Sequence, residues 1–121
     1  FCHRTVDTGN AAGIPALEQC LFCHKDLGED QFILPGSTEL DKLRWHVENQ
    51  EPIRWKRVHR LPDHVQFMHE AHINAGINCS TCHGDVGGME VVEQVRDLKM
   101  GDCVDCHRAN NAPTDCLTCH Y

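Results

Sequence analysis

FMHEAHINAGINCSTCH, residues 67–83, decides how the rest of the chain is read. It sets His69 and His72 three residues apart, a spacing that puts both on one face of a helix. After a short connection comes Cys79-Ser80-Thr81-Cys82-His83. Cys-x-x-Cys-His is the attachment pattern for c-type haem, in which the thiols add to the vinyl groups and the imidazole takes an axial position on iron. The pattern recurs at Cys20–His24, Cys103–His107 and Cys116–His120.

A single Cys-x-x-Cys is also compatible with a zinc knuckle or a redox pair. Zinc sites do not require His directly after every pair, yet His24, His83, His107 and His120 all stand there. Disulfides fit poorly, because each pair lies within one local turn. Four patterns use eight of the nine cysteines. The ninth, Cys2, is preceded by Phe1 and followed by His3. Phe1-Cys2-His3 is expected to be the end of a fifth pattern whose first cysteine precedes residue 1. Five haem c groups are therefore expected, on Cys2, Cys20, Cys23, Cys79, Cys82, Cys103, Cys106, Cys116 and Cys119.

Composition agrees. Only 27 of the 121 residues are Leu, Ile, Val or Phe, barely enough apolar mass for a charged chain to fold at all. Haem would supply the missing apolar surface. The expected fold is a multihaem cytochrome c: mostly irregular, a few short α-helices around covalent haems, little or no β-sheet. The net charge of -7 argues against nucleic acid as a partner and for a basic patch on another redox protein. No apolar run approaches the roughly 20 residues that span a bilayer. Covalent haem attachment implies export, since bacteria attach haem outside the cytoplasm.

Between the cysteine groups lies Lys25–Asn78, without cysteine. A short helix is expected at Ala16–Gln19. Leu34-Pro35-Gly36 signals a turn, and Ser37 or Thr38 caps a helix to about Gln50, with Leu40, Leu43 and Val47 on one face. Pro52 ends it, and Ile53–His59 reads as extended. Pro62 opens a second helix to about Asn74, stopped by Gly76, with Val65, Met68, His69 and His72 on one face. A third helix is expected over Met89–Met100, with Val91, Val92, Val95 and Leu98 apolar and Gly101 as its stop.

Iron that carries electrons needs a sixth ligand. Beyond His3, His24, His83, His107 and His120, five histidines remain: His46, His59, His64, His69 and His72. His69 and His72 have the strongest case. His46 and His64 read as surface or core hydrogen-bonding residues. HEAH is not a zinc-protease signature, because that motif needs His at i and i+4. Met68 and Met100 read as packing residues on spacing alone. No Gly-rich phosphate loop or nucleophile–base signature is present, so no catalytic residue is expected.

Residues 67–121 resemble the three-haem cytochromes c7, in F-x-H-x-x-H, in Cys-x-x-Cys-His and in two further closely spaced motifs. The wider pattern, NAAGIP, then EPIRWKRVHRLPDHVQFMHEAHINAGINCSTCHG, then LKMGDCVDCH, resembles the pentahaem cytochrome c subunits of bacterial alternative complex III. That resemblance implies an N-terminal haem module over 1–56 and a c7-like module over 57–121. It implies electron transfer on the periplasmic side of the membrane, inside a complex that oxidises quinol and reduces a soluble acceptor. The implied partners are an iron–sulfur/molybdopterin-like subunit, integral membrane quinol-binding subunits and a monohaem cytochrome c. Membrane association would come through partners or an N-terminal anchor. Carried over by position, His69 serves the haem on Cys79/Cys82/His83 and His72 the one on Cys103/Cys106/His107. Met100 serves the haem on Cys116/Cys119/His120, one residue nearer the cysteine than the c7 histidine. His59 is the best internal candidate for an N-terminal haem, as iron ligand or as hydrogen-bond donor to a propionate. A free-standing or filament-forming carrier, and a small-oxyanion reductase with an open haem site, are the rival readings.

Overall fold

The structure, a computed structural model, describes residues 1–25 and 38–121. The turn expected at Leu34–Gly36 and the cap at Ser37 lie outside them. The described residues form short helices joined by irregular backbone, with no strand beyond one isolated bridge. This is the multihaem cytochrome fold class. The helices are α1 (Leu17–His24), α2 (Thr38–Glu48), α3 (His69–Asn74), α4 (Cys79–His83), α5 (Met100–Ala109) and α6 (Cys116–Cys119). Four of them are the attachment patterns themselves.

The chain divides into two compact units. The first holds Phe1–Thr5 and Ala12–Trp55, the second Val6–Ala11 and Lys56–Tyr121. In the first, α1 packs against α2. Leu40, Leu43 and Val47 are half-buried along α2, as their spacing predicts. The other side carries the exposed ion pairs Lys42–Glu39 at 2.6 Å and Arg44–Asp41 at 3.4 Å. Gln50 turns to φ 53° just past the helix end, and Pro52 follows.

In the second unit, α3 is shorter than the sequence predicts. Its expected first turns, from Pro62, are not helical. Val65 instead bridges antiparallel to His120. Gln66 N–H donates to the Cys119 carbonyl at 2.9 Å, and its side-chain amide donates to the carbonyls of Leu117 (3.2 Å) and His120 (3.0 Å). These bonds need extended backbone, so the helix starts only after Met68, at φ -123° and ψ 114°. Val65 and Met68 therefore do not share a helical stripe with His69 and His72. The stop at Gly76 is where the sequence puts it. Gly76 N–H bonds the Ile73 carbonyl at 2.9 Å and Ile77 N–H the His72 carbonyl at 3.0 Å, with Gly76 at φ 81°, the paired closure of a Schellman end.

The helix expected over Met89–Met100 is absent. Val91, Val92 and Val95 are β-branched and disfavour helix, and Leu98 sits at φ 50°. The helix starts at Met100 instead and runs through Cys103–His107 to Ala109, with Gly101 inside it. Asn111, at φ 54°, closes it, and Ala112 N–H reaches the His107 carbonyl at 2.8 Å. Likewise α1 runs to His24, past the expected end at Gln19.

No apolar side chain among the described residues is buried. The chain exposes 9930 Å², against roughly 6,600 Å² for a folded monomer of this mass. Phe22, Val91, Leu117 and Met100 are among the large apolar groups left open. No helix among the described residues is long and apolar enough to cross a membrane.

Candidate haem-binding sites

Each attachment helix carries its two cysteines at i and i+3, so both thiols leave one face of one turn. None of the nine cysteines is joined in a disulfide, and each is exposed or half-buried. Among the described residues no three or more His, Cys, Asp or Glu side chains converge as a metal cage. The thiols are thus not gathered as a zinc ribbon would gather them.

The imidazoles are gathered, in pairs. His69 and His83 have ring centroids 6.4 Å apart at 11°. His72 and His107 stand 6.0 Å apart at 49°. Two imidazoles on opposite sides of one metal need roughly 6 Å, from two bonds of about 2 Å plus roughly 1 Å within each ring. Both separations fit a metal held between the rings. The helix of the opening stretch therefore brings one histidine to each of two different attachment patterns. Phe67 lies edge-on to His69 (4.9 Å, 90°) and stacks on His72 (4.5 Å, 29°), which fixes both rings.

Backbone carbonyls hold the rings from behind. His69 Nδ1 donates to the Asn10 carbonyl at 2.8 Å, and His72 Nδ1 to that of Met68 at 2.8 Å. His107 Nδ1 donates to the Pro113 carbonyl, and His120 Nδ1 to that of His64 at 3.3 Å. In the first unit His3 Nδ1 donates to the Gly13 carbonyl at 2.9 Å. A carbonyl only accepts, so Nδ1 carries the proton and Nε2 keeps a lone pair for a metal. The Gly9 and Asn10 carbonyls also take the N–H groups of Glu70 and His69, both at 3.3 Å, and so cap α3. Nothing in the sequence marks these carbonyls, because any residue type supplies one.

His64 packs against His120. The His64 ring is 5.5 Å from that of His120, at 18°. Its backbone carbonyl takes His120 Nδ1 at 3.3 Å. Met100 heads α5 with its side chain 68% exposed. His46 is tied through Nδ1 to the Glu51 carbonyl at 3.0 Å and packs edge-on against Trp45. His24 ends α1, exposed. His59 has a buried Nε2 with no hydrogen-bond partner and an edge-to-face contact with His83 at 4.4 Å.

Arg96 escaped the sequence reading. Its guanidinium forks onto Asp102, Nε to Oδ2 at 2.7 Å and Nη2 to Oδ1 at 2.8 Å, and reaches the Thr81 carbonyl at 3.4 Å. It thereby ties the first turn of α5 to α4, one attachment helix to the next. The bond to Asp102 raises the Arg96 pKa further. Burial pushes the Cys103 thiol up, and the neighbouring Asp102 carboxylate adds to it. At α6, Asp115 Oδ1 accepts from Thr118 N–H at 3.1 Å and Oδ2 from its hydroxyl at 2.6 Å. That hydroxyl bond holds the Asp115 carboxyl below its ordinary range.

The fit to haem is therefore threefold: paired thiols on single helix faces, imidazole pairs at metal-sharing separation, and no buried apolar side chain among the described residues. Fold and sites together define a multihaem c-type cytochrome, an electron-transfer protein with haem c as cofactor.

Comparison with known proteins narrows the class. Residues 65–121 match the model of "cytochrome c7 and related cytochrome c". Cytochrome c3 of Desulfuromonas acetoxidans is 32% identical over 56 residues, covering 46% of this chain and 79% of the relative. The chain belongs to the cytochrome c7 and related cytochrome c family. The menaquinone reductase multiheme cytochrome c subunit of Nitratidesulfovibrio vulgaris is 27% identical over 146 aligned positions. That match covers 98% of this chain and 67% of the relative.

Proposed function

We propose that this chain is the multihaem electron conduit of a membrane-bound, quinone-linked oxidoreductase of the alternative complex III type, on the periplasmic side, delivering electrons to a soluble acceptor. The observation that carries the reading is the pairing of His69 with His83 and His72 with His107 at 6.4 and 6.0 Å. Iron with both axial positions filled by protein offers substrate no open site, so it suits transfer rather than catalysis. The name of the Nitratidesulfovibrio vulgaris relative supports the quinone link. Its neighbours would be an iron–sulfur/molybdopterin-like subunit, membrane quinol-binding subunits and a monohaem cytochrome c.

Bound haem c supplies a one-electron iron couple. The residues that would hold it are Cys20/Cys23/His24, Cys79/Cys82/His83, Cys103/Cys106/His107 and Cys116/Cys119/His120, with Cys2-His3 completing a fifth site. His69 and His72 would be the sixth ligands of the second and third of these. Met100 would be the sixth ligand opposite His120, as the resemblance to the cytochromes c7 implies. A thioether in place of imidazole raises the potential, so the His120 haem would be the most oxidising. The chain then divides by role, residues 1–56 carrying the N-terminal haems and 57–121 the c7-like set.

His72→Ala tests the reading in the full-length, haem-loaded protein. The haem on Cys103/Cys106 should become high-spin and bind CO, while the nearer one on Cys79/Cys82 stays low-spin. A wild-type protein that already holds a CO-binding high-spin haem would favour the oxyanion reductase. Purification without any membrane subunit would favour a free carrier.

A further inference from the structure

The side-chain amide nitrogen of Gln66 donates twice into one short segment. It reaches the carbonyls of Leu117 at 3.2 Å and His120 at 3.0 Å, and the Gln66 backbone N–H reaches that of Cys119 at 2.9 Å. The His64 carbonyl accepts two more bonds from the same segment, Tyr121 N–H at 3.4 Å and His120 Nδ1 at 3.3 Å. Between them, Val65 bridges His120. The segment holds α6, four residues long and far too short to persist alone. Within itself α6 has the Asp115 bonds to Thr118. To make the longer-range bonds the chain gives up the helical turns that Pro62 predicts. On its other side Gln66 adjoins Phe67, whose ring meets both His69 and His72. One amide therefore links the His120 site to the helix that serves His83 and His107.

We propose that Gln66 is a positioning residue for the Cys116–His120 site: its amide locks α6 against residues 64–67 and so sets the His120 ring relative to His69 and His72. The inference rests on the haem reading above. His120 is held at two points, its ring through Nδ1 by the His64 carbonyl and its backbone through its own carbonyl by the Gln66 amide. A ring fixed at one point can pivot; fixed at two, it keeps one direction, and the direction of an axial imidazole tunes the metal it holds. The role asks for a donor, since both partners are carbonyls, and for a side chain long enough to reach them. Gln66 acts through His120, not on the metal.

The test uses the full-length, haem-loaded protein with Gln66→Met and Gln66→Lys. Methionine keeps the length and neutrality of glutamine but donates nothing; lysine keeps donors on a long stem. In Gln66→Met the paramagnetic resonance signal of the His120 haem should change its g-values and its midpoint potential should shift, while the His83 and His107 haems keep theirs. The His120 signal is identified as the one absent from a Cys116→Ser/Cys119→Ser chain. The Tyr121 amide proton should exchange about 5–30-fold faster, as expected when two hydrogen bonds are lost. In Gln66→Lys the g-values should return to those of the wild type. If the methionine variant fails to load haem, the lysine variant decides: native g-values support the inference and altered ones overturn it. Unchanged g-values and midpoint in Gln66→Met, or an equal change at every haem, would overturn it as well and leave Gln66 a general packing residue. Loss of the haem reading itself looks different: the wild-type chain would then carry no covalent haem by mass.

Discussion

An imidazole has two nitrogens, and in His3, His69, His72, His107 and His120 one is committed to a backbone carbonyl. The commitment matters as much as the residue type, because it fixes tautomer and ring direction before any metal arrives. Backbone geometry is as specific at Gly84, directly after His83, at φ 69° and ψ -167°. That region is essentially open to glycine alone. A Cβ there would also meet Val95 Cγ2 at 3.0 Å and Met89 Cε at 3.1 Å. Gly84→Ala should therefore destabilise the loaded protein by about 1–3 kcal/mol, seen as a lowered unfolding temperature. An unchanged temperature would mean that the turn after His83 relaxes freely. Asp115 supplies a pH-dependent contribution. Its folded pKa lies below the unfolded value, chiefly through the Thr118 hydroxyl. The stabilisation is therefore present above about pH 4, the unfolded carboxylate range, and is lost as pH falls from there through the depressed folded value. Asp115→Asn should remove this part of the acid sensitivity, leaving a flatter stability curve below pH 4 by denaturant titration.

At the scale of elements, the helices follow the cysteines. α1, α4, α5 and α6 contain the attachment patterns, and the sequence showed those patterns as chemistry without showing them as helices. Hydrophobic periodicity failed because these helices bury no side chain against the rest of the chain; bound haem would supply the surface they face. It therefore favoured Val91–Leu98, whose apolar residues are partly exposed, and missed Met100–Ala109. Periodicity succeeded in α2, where Leu40, Leu43 and Val47 do meet protein. The histidine pair was legible for the same reason that α3 is helical: three-residue spacing and a glycine stop. The carbonyls of Gly9 and Asn10 were not, since a backbone group leaves no mark in residue type. Arg96 joins two of these helices. Both sides of its pair are partly screened from solvent, at 28% and 31% exposure. Arg96→Lys keeps the charge and loses the planar fork, and should cost about 1 kcal/mol. Redox titration should shift the haems at His83 and His107 together; a shift at neither would reduce Arg96 to a surface pair.

At the scale of the whole molecule, the described residues form no apolar core of their own. Helices of four to eleven residues fall below the length of roughly 12–15 at which a helix holds in water unaided. Tertiary burial must supply the difference, yet the described residues bury no apolar side chain among themselves. Ordering the backbone costs about 1–2 kcal/mol per residue, and the few exposed ion pairs contribute little against it. Haem, with its apolar faces and covalent ties to the thiols, is the remaining source of burial. Replacing the eight motif cysteines from Cys20 to Cys119 by serine should therefore yield a chain that never folds cooperatively. Its far-ultraviolet circular dichroism should decline gradually on heating with no transition, and its amide protons should exchange at nearly unfolded rates. Restoring Cys79 and Cys82 alone should return protection first to residues near His69 and His83. A sharp melt in the serine chain would show that the polypeptide holds a core of its own and that haem only decorates it.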